Sequence, residues 1–141
     1  MKFLIEIAFG LVIFSNGIFA NEDPDFGKAE FEANCASCHG LTGKGDGPLS
    51  RVYLIRPTDL TMLAKSNSGV FPAQRVYKII DGRQEVKAHG PRTMPVWGRE
   101  YGEKVPDIIP DLMDFGYIGY RKKVVKARIV MLVDYLFRIQ E

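Results

Sequence analysis

The sequence is poor in residues that bind metal ions, with two cysteines and two histidines among 141 residues. Zinc held by the two thiols would need two further ligands, yet His89 is the only cysteine or histidine that lies far from the two cysteines in the sequence. Strand-like alternation and internal repeats are absent, so the α/β context of a thioredoxin-like enzyme is missing. A content of 46% hydrophobic and 26% charged residues, with a net charge of +2, indicates one globular domain and gives no reason to expect nucleic-acid binding.

The first 20 residues differ from the rest of the chain. Met1 and Lys2 precede an apolar run over residues 3–14, and residues 15–20 then lead to a candidate cleavage site after Ala20. This pattern predicts a secretory signal peptide over residues 1–20, and therefore export to the periplasm. Because Glu6 interrupts the apolar run, a single basic residue precedes it and Ile18 occupies the third position before the cut, an uncleaved membrane anchor is the alternative. Residues 21–141 then form the predicted folded domain.

Both cysteines fall in one pentapeptide, Cys35-Ala36-Ser37-Cys38-His39, which has the spacing of a c-type haem attachment site. Two thiols are needed for thioether bonds to the porphyrin, and the next residue supplies an imidazole to the iron. Positions i, i+3 and i+4 share one face of a helical turn, so the three side chains are predicted to converge on one haem. A redox dithiol, a local disulfide and half of a zinc site fit the sequence less well.

Helical patterns flank the motif and close the chain. Asp25 can cap a helix that runs into the motif, and Gly40 stands where that helix should end. A short helix is predicted over residues 73–80, ended at Asp81-Gly82, and a longer one over residues 123–139, where apolar residues recur at helical spacing. Residues 41–49 form a glycine-rich loop between the first helix and the short one. The predicted fold class is therefore all-α.

With these features together, the chain resembles the class I cytochrome c family over most of residues 25–141. Besides the haem motif, the resemblance depends on Gly27 and Phe31 in the first helix and on Leu132 and Tyr135 in the last. In that family the first and last helices cross at such small and aromatic residues. The resemblance implies a class I cytochrome c fold, in which crossed terminal helices, short helices and loops surround one covalently attached haem c.

The resemblance also implies residues around the iron. Pro48, nine residues after His39, matches a proline whose carbonyl accepts the N–H of the haem-ligating imidazole, although an ordinary loop proline is the alternative. Met94 matches the second axial ligand, a soft thioether that raises the reduction potential. Trp97 is expected to pack near the haem. The rival ligands are His89, Met62, Met113 and Met131, and the candidate partners of the haem propionates are Arg56, Arg83 and Arg92.

By comparison with a minimal family member, residues 99–120 form an insertion ahead of the last helix. Its aromatic residues predict either packing as a lid over one haem edge or a partner-docking surface. A basic cluster follows at the predicted start of the last helix and would orient the protein toward an acidic partner, with a solvated helix face as the alternative. The cluster comprises Arg121, Lys122, Lys123, Lys126 and Arg128.

The function implied by this resemblance is one-electron transfer between redox proteins, a donor and an acceptor such as oxidase or reductase subunits. The iron would be six-coordinate, with His39 and Met94 as its axial ligands. The alternative is a haem-containing subunit or a peroxidase-like module of a larger oxidoreductase. Membrane contact is expected only if residues 1–20 are retained.

Overall fold

The computed structural model describes residues 24–83, 94–106 and 116–141. The predicted signal segment and two of the rival ligands, His89 and Met113, lie outside these residues. Within them the chain forms α-helices and short 3₁₀ helices and no strand, so the all-α prediction is confirmed. None of the described helices is long and apolar enough to cross a membrane. The α-helices are α1 (Phe26–Asn34), α2 (Ala36–His39), α3 (Ala73–Asp81), α4 (Trp97–Glu103) and α5 (Gly116–Arg138).

Helix α1 begins at the predicted cap. The Asp25 carboxylate accepts the backbone N–H of Lys28 at 3.0 Å, which satisfies one of the free donors at the helix start. The same carboxylate accepts two hydrogen bonds of 2.8 Å each from the guanidinium of Arg138, the last residue of α5. These bonds, first among them those from Arg138, lower the pKa of Asp25 to about 2. The start of the first helix is thereby tied to the end of the last.

The most extensive contact between described helices joins α1 and α5. A Cβ on Gly27 would overlap the Met131 carbonyl oxygen and would lie 3.0 Å from Tyr135 Cβ, so the backbones approach too closely for any side chain. Phe31 is fully buried, and its ring centroid is 5.2 Å from that of Tyr135. Leu132 is buried in the same core. The crossing predicted from these small and aromatic residues is confirmed.

Helix α5 begins at Gly116, whereas the sequence predicts a start near residue 123. The prediction was wrong because Gly116 and Gly119 weaken the helical pattern, while burial of Val125 and Ile129 stabilises the helix through packing. The basic cluster of residues 121–128 therefore lies inside the helix and not in its first turn. A helix start near residue 123 would place these residues at the N-terminus, where the macrodipole disfavours positive charge. Because the macrodipole acts mainly within the terminal turns, this effect is small at their observed positions.

Helix α3 includes Asp81, one residue beyond the predicted range 73–80, and ends where Gly82 adopts a left-handed conformation. Helix α4 lies mostly within the segment predicted as an insertion, and it packs on α3 and α5. Its Tyr101 is fully buried, 5.5 Å from the Trp97 ring and under the guanidinium of Arg128. Tyr101 thus packs in the core, while Tyr120 at the start of α5 is exposed.

Candidate haem site

A cavity of about 1080 Å³ lies beside α2, walled by residues of α1, α3, α5 and the segment from residue 53 to 63. Its volume slightly exceeds the roughly 300–1,000 Å³ usual for ligand pockets. Cys35, Cys38 and His39 all line it, so the three motif residues face one space, as the helical spacing predicts. The apolar part of the wall includes Phe31, Val76, Ile79, Ile80, Leu132 and Leu136.

The loop after α2 folds back under the motif and fixes it in place. The N–H of Gly45 donates to the His39 carbonyl at 2.8 Å, and the N–H of Gly47 donates to the Cys38 carbonyl at 3.2 Å. A Cβ on Gly47 would lie 2.6 Å from the Ala36 carbonyl oxygen, so only glycine allows this approach. The carbonyls at the end of a four-residue helix are thus satisfied by backbone donors from the loop.

The His39 ring is held by a carbonyl that the sequence did not indicate. Its Nδ1 lies 3.0 Å from the carbonyl oxygen of Thr58. Because a carbonyl can only accept, Nδ1 carries the proton and Nε2 keeps its lone pair for a metal ion. Burial lowers the pKa of His39, although the bond to Thr58 opposes this, and the neutral imidazole is the form that binds iron.

The predicted role of Pro48 is therefore corrected. Pro48 is exposed and begins the 3₁₀ helix Pro48–Val52, where its fixed φ suits the first helical position. The carbonyl that accepts from His39 belongs to Thr58, ten residues further along the chain. Pro48 thus has a local structural role at the start of a helix, and the positioning of the imidazole depends on a different loop.

The turn that follows Thr58 is fixed by hydrogen bonds, and these hold the Thr58 carbonyl in position. Asp59 caps the 3₁₀ helix Leu60–Met62, and its carboxylate accepts from the Thr61 backbone N–H at 2.9 Å and from the Thr61 hydroxyl at 2.7 Å. Gln140, near the chain end, donates to the Leu60 carbonyl at 2.8 Å. A capping residue directly after Pro57-Thr58 is the sequence signal that could have indicated a fixed, extended carbonyl here.

The two cysteines are free, and no disulfide joins them. Burial, and then the nearby Glu30 carboxylate, raise the pKa of the Cys35 thiol to about 12, so this residue is a thiol at neutral pH. Across residues 24–83, 94–106 and 116–141 there is no cluster of three or more Cys, His, Asp or Glu residues that could hold a metal ion. The described ranges thus contain neither the local disulfide nor a zinc site, and His89 lies outside them.

Met94 and Trp97 line the same cavity as His39. Met94 is partly buried against the core, and its thioether is a neutral, soft donor of the kind that binds haem iron. Of the rival methionines, Met62 and Met131 do not line the cavity. The assignment of Met94 as the second axial ligand stays a prediction, but among the described residues Met94 is the methionine that shares the cavity with the imidazole.

Of the arginines proposed to pair with haem propionates, Arg56 lines the cavity. Arg83 instead pairs with Asp81, at 2.6 Å between Nε and the carboxylate, and Arg92 lies outside the described residues. Arg75 of α3 also lines the cavity, a position that the sequence did not single out. Arginine suits this role because its fork of N–H donors matches a carboxylate.

The residues present fit a covalently attached haem. The cavity provides two thiols, an imidazole with one tautomer fixed, a thioether, apolar walls and two arginines. A scan against protein-family models matches residues 25–108 to the family Cytochrome c, which is more than half of the chain. The chain belongs to the cytochrome c family. Its cofactor is haem c with iron, attached covalently, and the family uses haem for electron transfer.

Membership in the cytochrome c family agrees with the described architecture. The family match ends at residue 108, so it does not include α5, yet α5 crosses α1 at the residues expected of this family. No curated protein and no solved structure matches the chain. The all-α cytochrome c fold is therefore assigned from the family match and from the arrangement of the helices.

Proposed function

We propose that this cytochrome carries single electrons between two redox proteins and has no bond-making activity of its own. The observation that carries the proposal is the placement of His39 and Met94 on the wall of one cavity. An imidazole and a thioether that both bind the iron would leave no open position for oxygen or peroxide. A neutral thioether also favours ferrous iron, which suits a carrier of relatively high reduction potential.

The roles of this chain's residues follow from their surroundings. Cys35 and Cys38 hold the haem covalently, and Thr58 keeps the His39 proton on Nδ1 so that the ring cannot rotate or change tautomer. Apolar residues from α3 and α5 exclude water from the cavity. When bound, the haem iron supplies the one-electron chemistry.

The proposed setting is the periplasm, because residues 1–20 have the pattern of a secretory signal. A retained segment would instead tether the protein to the membrane, and membrane contact is proposed only in that case. The proposed partners are an electron donor and an electron acceptor, such as subunits of an oxidase or a reductase. Fractionation of cells into periplasm and membrane, with N-terminal sequencing of the mature chain, tests both the compartment and the cleavage.

The carrier proposal is tested on protein matured with the haem-attachment machinery. We expect a low-spin ferric spectrum with the charge-transfer absorption of an iron–sulfur bond, slow binding of cyanide, and rapid oxidation of the ferrous protein by hexacyanoferrate(III). A high-spin ferric spectrum with fast cyanide binding and turnover of peroxide would instead support the alternative, a peroxidase-like module or enzyme subunit. Failure of the ferrous protein to reduce any added oxidant would refute the carrier proposal.

A further inference from the structure

Residues 49–56, here called the rim segment, expose apolar side chains beside the haem cavity. Leu49, Tyr53 and Ile55 line the cavity and are available to the haem. Val52 and Leu54 do not line it, and they are 75% and 107% exposed. Bound haem therefore leaves these two side chains uncovered. Adjoining apolar residues exposed in this way are typical of an interaction surface and not of scattered surface residues.

The rim segment is fixed on the haem attachment helix. Its 3₁₀ helix, Pro48–Val52, packs on α2, and the side chain of Ser50 is buried. The N–H of Ser50 donates to the Gly47 carbonyl at 2.8 Å, next to the close approach of Gly47 to α2. Tyr53 and Cys38 line the same cavity. The surface is therefore continuous with the wall of the cavity that carries the second attachment cysteine.

The charges of the rim segment have one sign. Arg51 and Arg56 flank residues 52–55, and both are exposed; Arg51 does not line the haem cavity, so it stays available to a partner even when Arg56 pairs with a haem propionate. The sequence has no acidic residue between Asp46 and Asp59, and in the described parts of the chain no carboxylate pairs with either arginine. An apolar centre with a positive edge is complementary to an apolar patch edged by carboxylates.

We propose that the rim segment is where this cytochrome docks on a redox protein that presents an apolar patch edged by carboxylates, and that electrons leave the haem past Cys38. The proposal rests on the carrier function and adds the surface and the class of partner. Docking there would bring the partner's cofactor within a short distance of one haem edge. In this proposal the docking surface is distinct from the basic cluster on α5, which would attract an acidic partner only at longer range.

The first test uses hexacyanoferrate(III), an anionic one-electron oxidant, with ferrous protein at low ionic strength. We expect Arg51→Glu to slow the reaction about threefold or more, because an anion is then repelled at the site of electron transfer. Lys104→Glu, at an exposed lysine outside both the rim segment and the basic cluster, changes the net charge equally and is the matched control, expected to leave the rate nearly unchanged. The reverse pattern, with Lys104→Glu slow and Arg51→Glu fast, would overturn the proposal.

The apolar part is tested with tris(phenanthroline)cobalt(III), whose surface is apolar. Leu54→Ser and Val52→Ser should each slow oxidation by this complex, whereas Val130→Ser, an exposed valine on α5, should not. As a readout without electron transfer, hexacyanochromate(III), which is redox-inert and paramagnetic, should broaden the amide NMR signals of residues 49–56 in the ferrous protein. Broadening confined to α5 would contradict the proposal.

A membrane is the other surface that an apolar segment with flanking arginines could contact. The purified mature protein is therefore sedimented with vesicles of phosphatidylglycerol and phosphatidylethanolamine. We expect no binding that depends on Leu54. Vesicle binding that is abolished by Leu54→Ser would replace the docking proposal with a membrane contact. Equal rates for all variants with both oxidants, while wild-type oxidation stays fast, would refute the docking surface and leave the carrier function intact.

Discussion

The contact between α1 and α5 at Gly27 gives a sharp prediction about stability. In Gly27→Ala the new methyl group would overlap the Met131 carbonyl oxygen and would lie 3.0 Å from Tyr135 Cβ. A backbone carbonyl inside a helix cannot rotate away as a flexible side chain can. The two helices must therefore move apart, and the packing of Phe31 on Tyr135 loosens with them.

The magnitude follows from two opposing effects. Overpacking a close contact costs about 1–3 kcal/mol. Alanine regains up to about 0.5–1 kcal/mol over glycine in a helix interior, and less here because Gly27 lies in the first turn. We expect a net loss of about 1–2 kcal/mol in the free energy of unfolding.

The assay is guanidinium unfolding of the holoprotein, followed by circular dichroism and by the haem absorption. Gly119→Ala on α5 is the matched control, because nothing lies within 4 Å of the Cβ that it adds. We expect this control to be neutral or stabilised by up to about 1 kcal/mol. If Gly27→Ala is as stable as Gly119→Ala, the close approach of the helices is not what requires glycine, and the reasoning fails.

Three further predictions concern the ligand, pH and charge. Met94→Ala should abolish the iron–sulfur charge-transfer absorption, lower the reduction potential and speed cyanide binding, whereas Met62→Ala should have none of these effects. The opposite result would identify Met62 as the axial ligand. Because the folded pKa of Asp25 is about 2, below the unfolded value of about 3.9, its stabilising contribution is complete above about pH 4 and is lost as the pH falls toward 2. Asp25→Asn should remove this part of the acid dependence in urea unfolding, and an unchanged pH profile would exclude the carboxylate as its source. Lys122 and Lys123 are both exposed. Reversing both charges should slow electron transfer to the physiological partner at low salt and make the rate less dependent on salt, while the reduction potential stays constant. If stopped-flow rates change neither with salt nor with the double charge reversal, these lysines belong to a solvated helix face.

The features that the sequence predicts well are those set by short-range rules. The Asp25 cap and the Gly82 end of α3 depend on residues within one turn of each other, and both are confirmed. The pairing of Gly27 with Tyr135 spans the chain, but the resemblance to a known family supplied it. Local chemistry and family resemblance together thus recover the helices around the motif and their crossing.

The features that the sequence misses depend on tertiary packing. The start of α5 at Gly116 follows from burial further along the helix and not from the residues at its beginning. The acceptor for His39 is decided by how the turn at Asp59 and the chain end at Gln140 hold Thr58. A proline at a suitable spacing could not show this, because every residue carries a backbone carbonyl and the partner that each carbonyl finds depends on the tertiary fold.

The crossing of α1 with α5 also determines when the haem motif becomes enclosed. Helix α1 has 9 residues, fewer than the roughly 12–15 that an isolated helix needs to be stable in water. Among the described helices its most extensive packing partner is α5, which lies far along the chain. Until α5 packs on α1, Phe31 lacks the Tyr135 ring that it contacts in the folded protein. We therefore expect the Cys35 thiol to stay accessible for thioether formation until these two helices have packed, and their packing then encloses the motif.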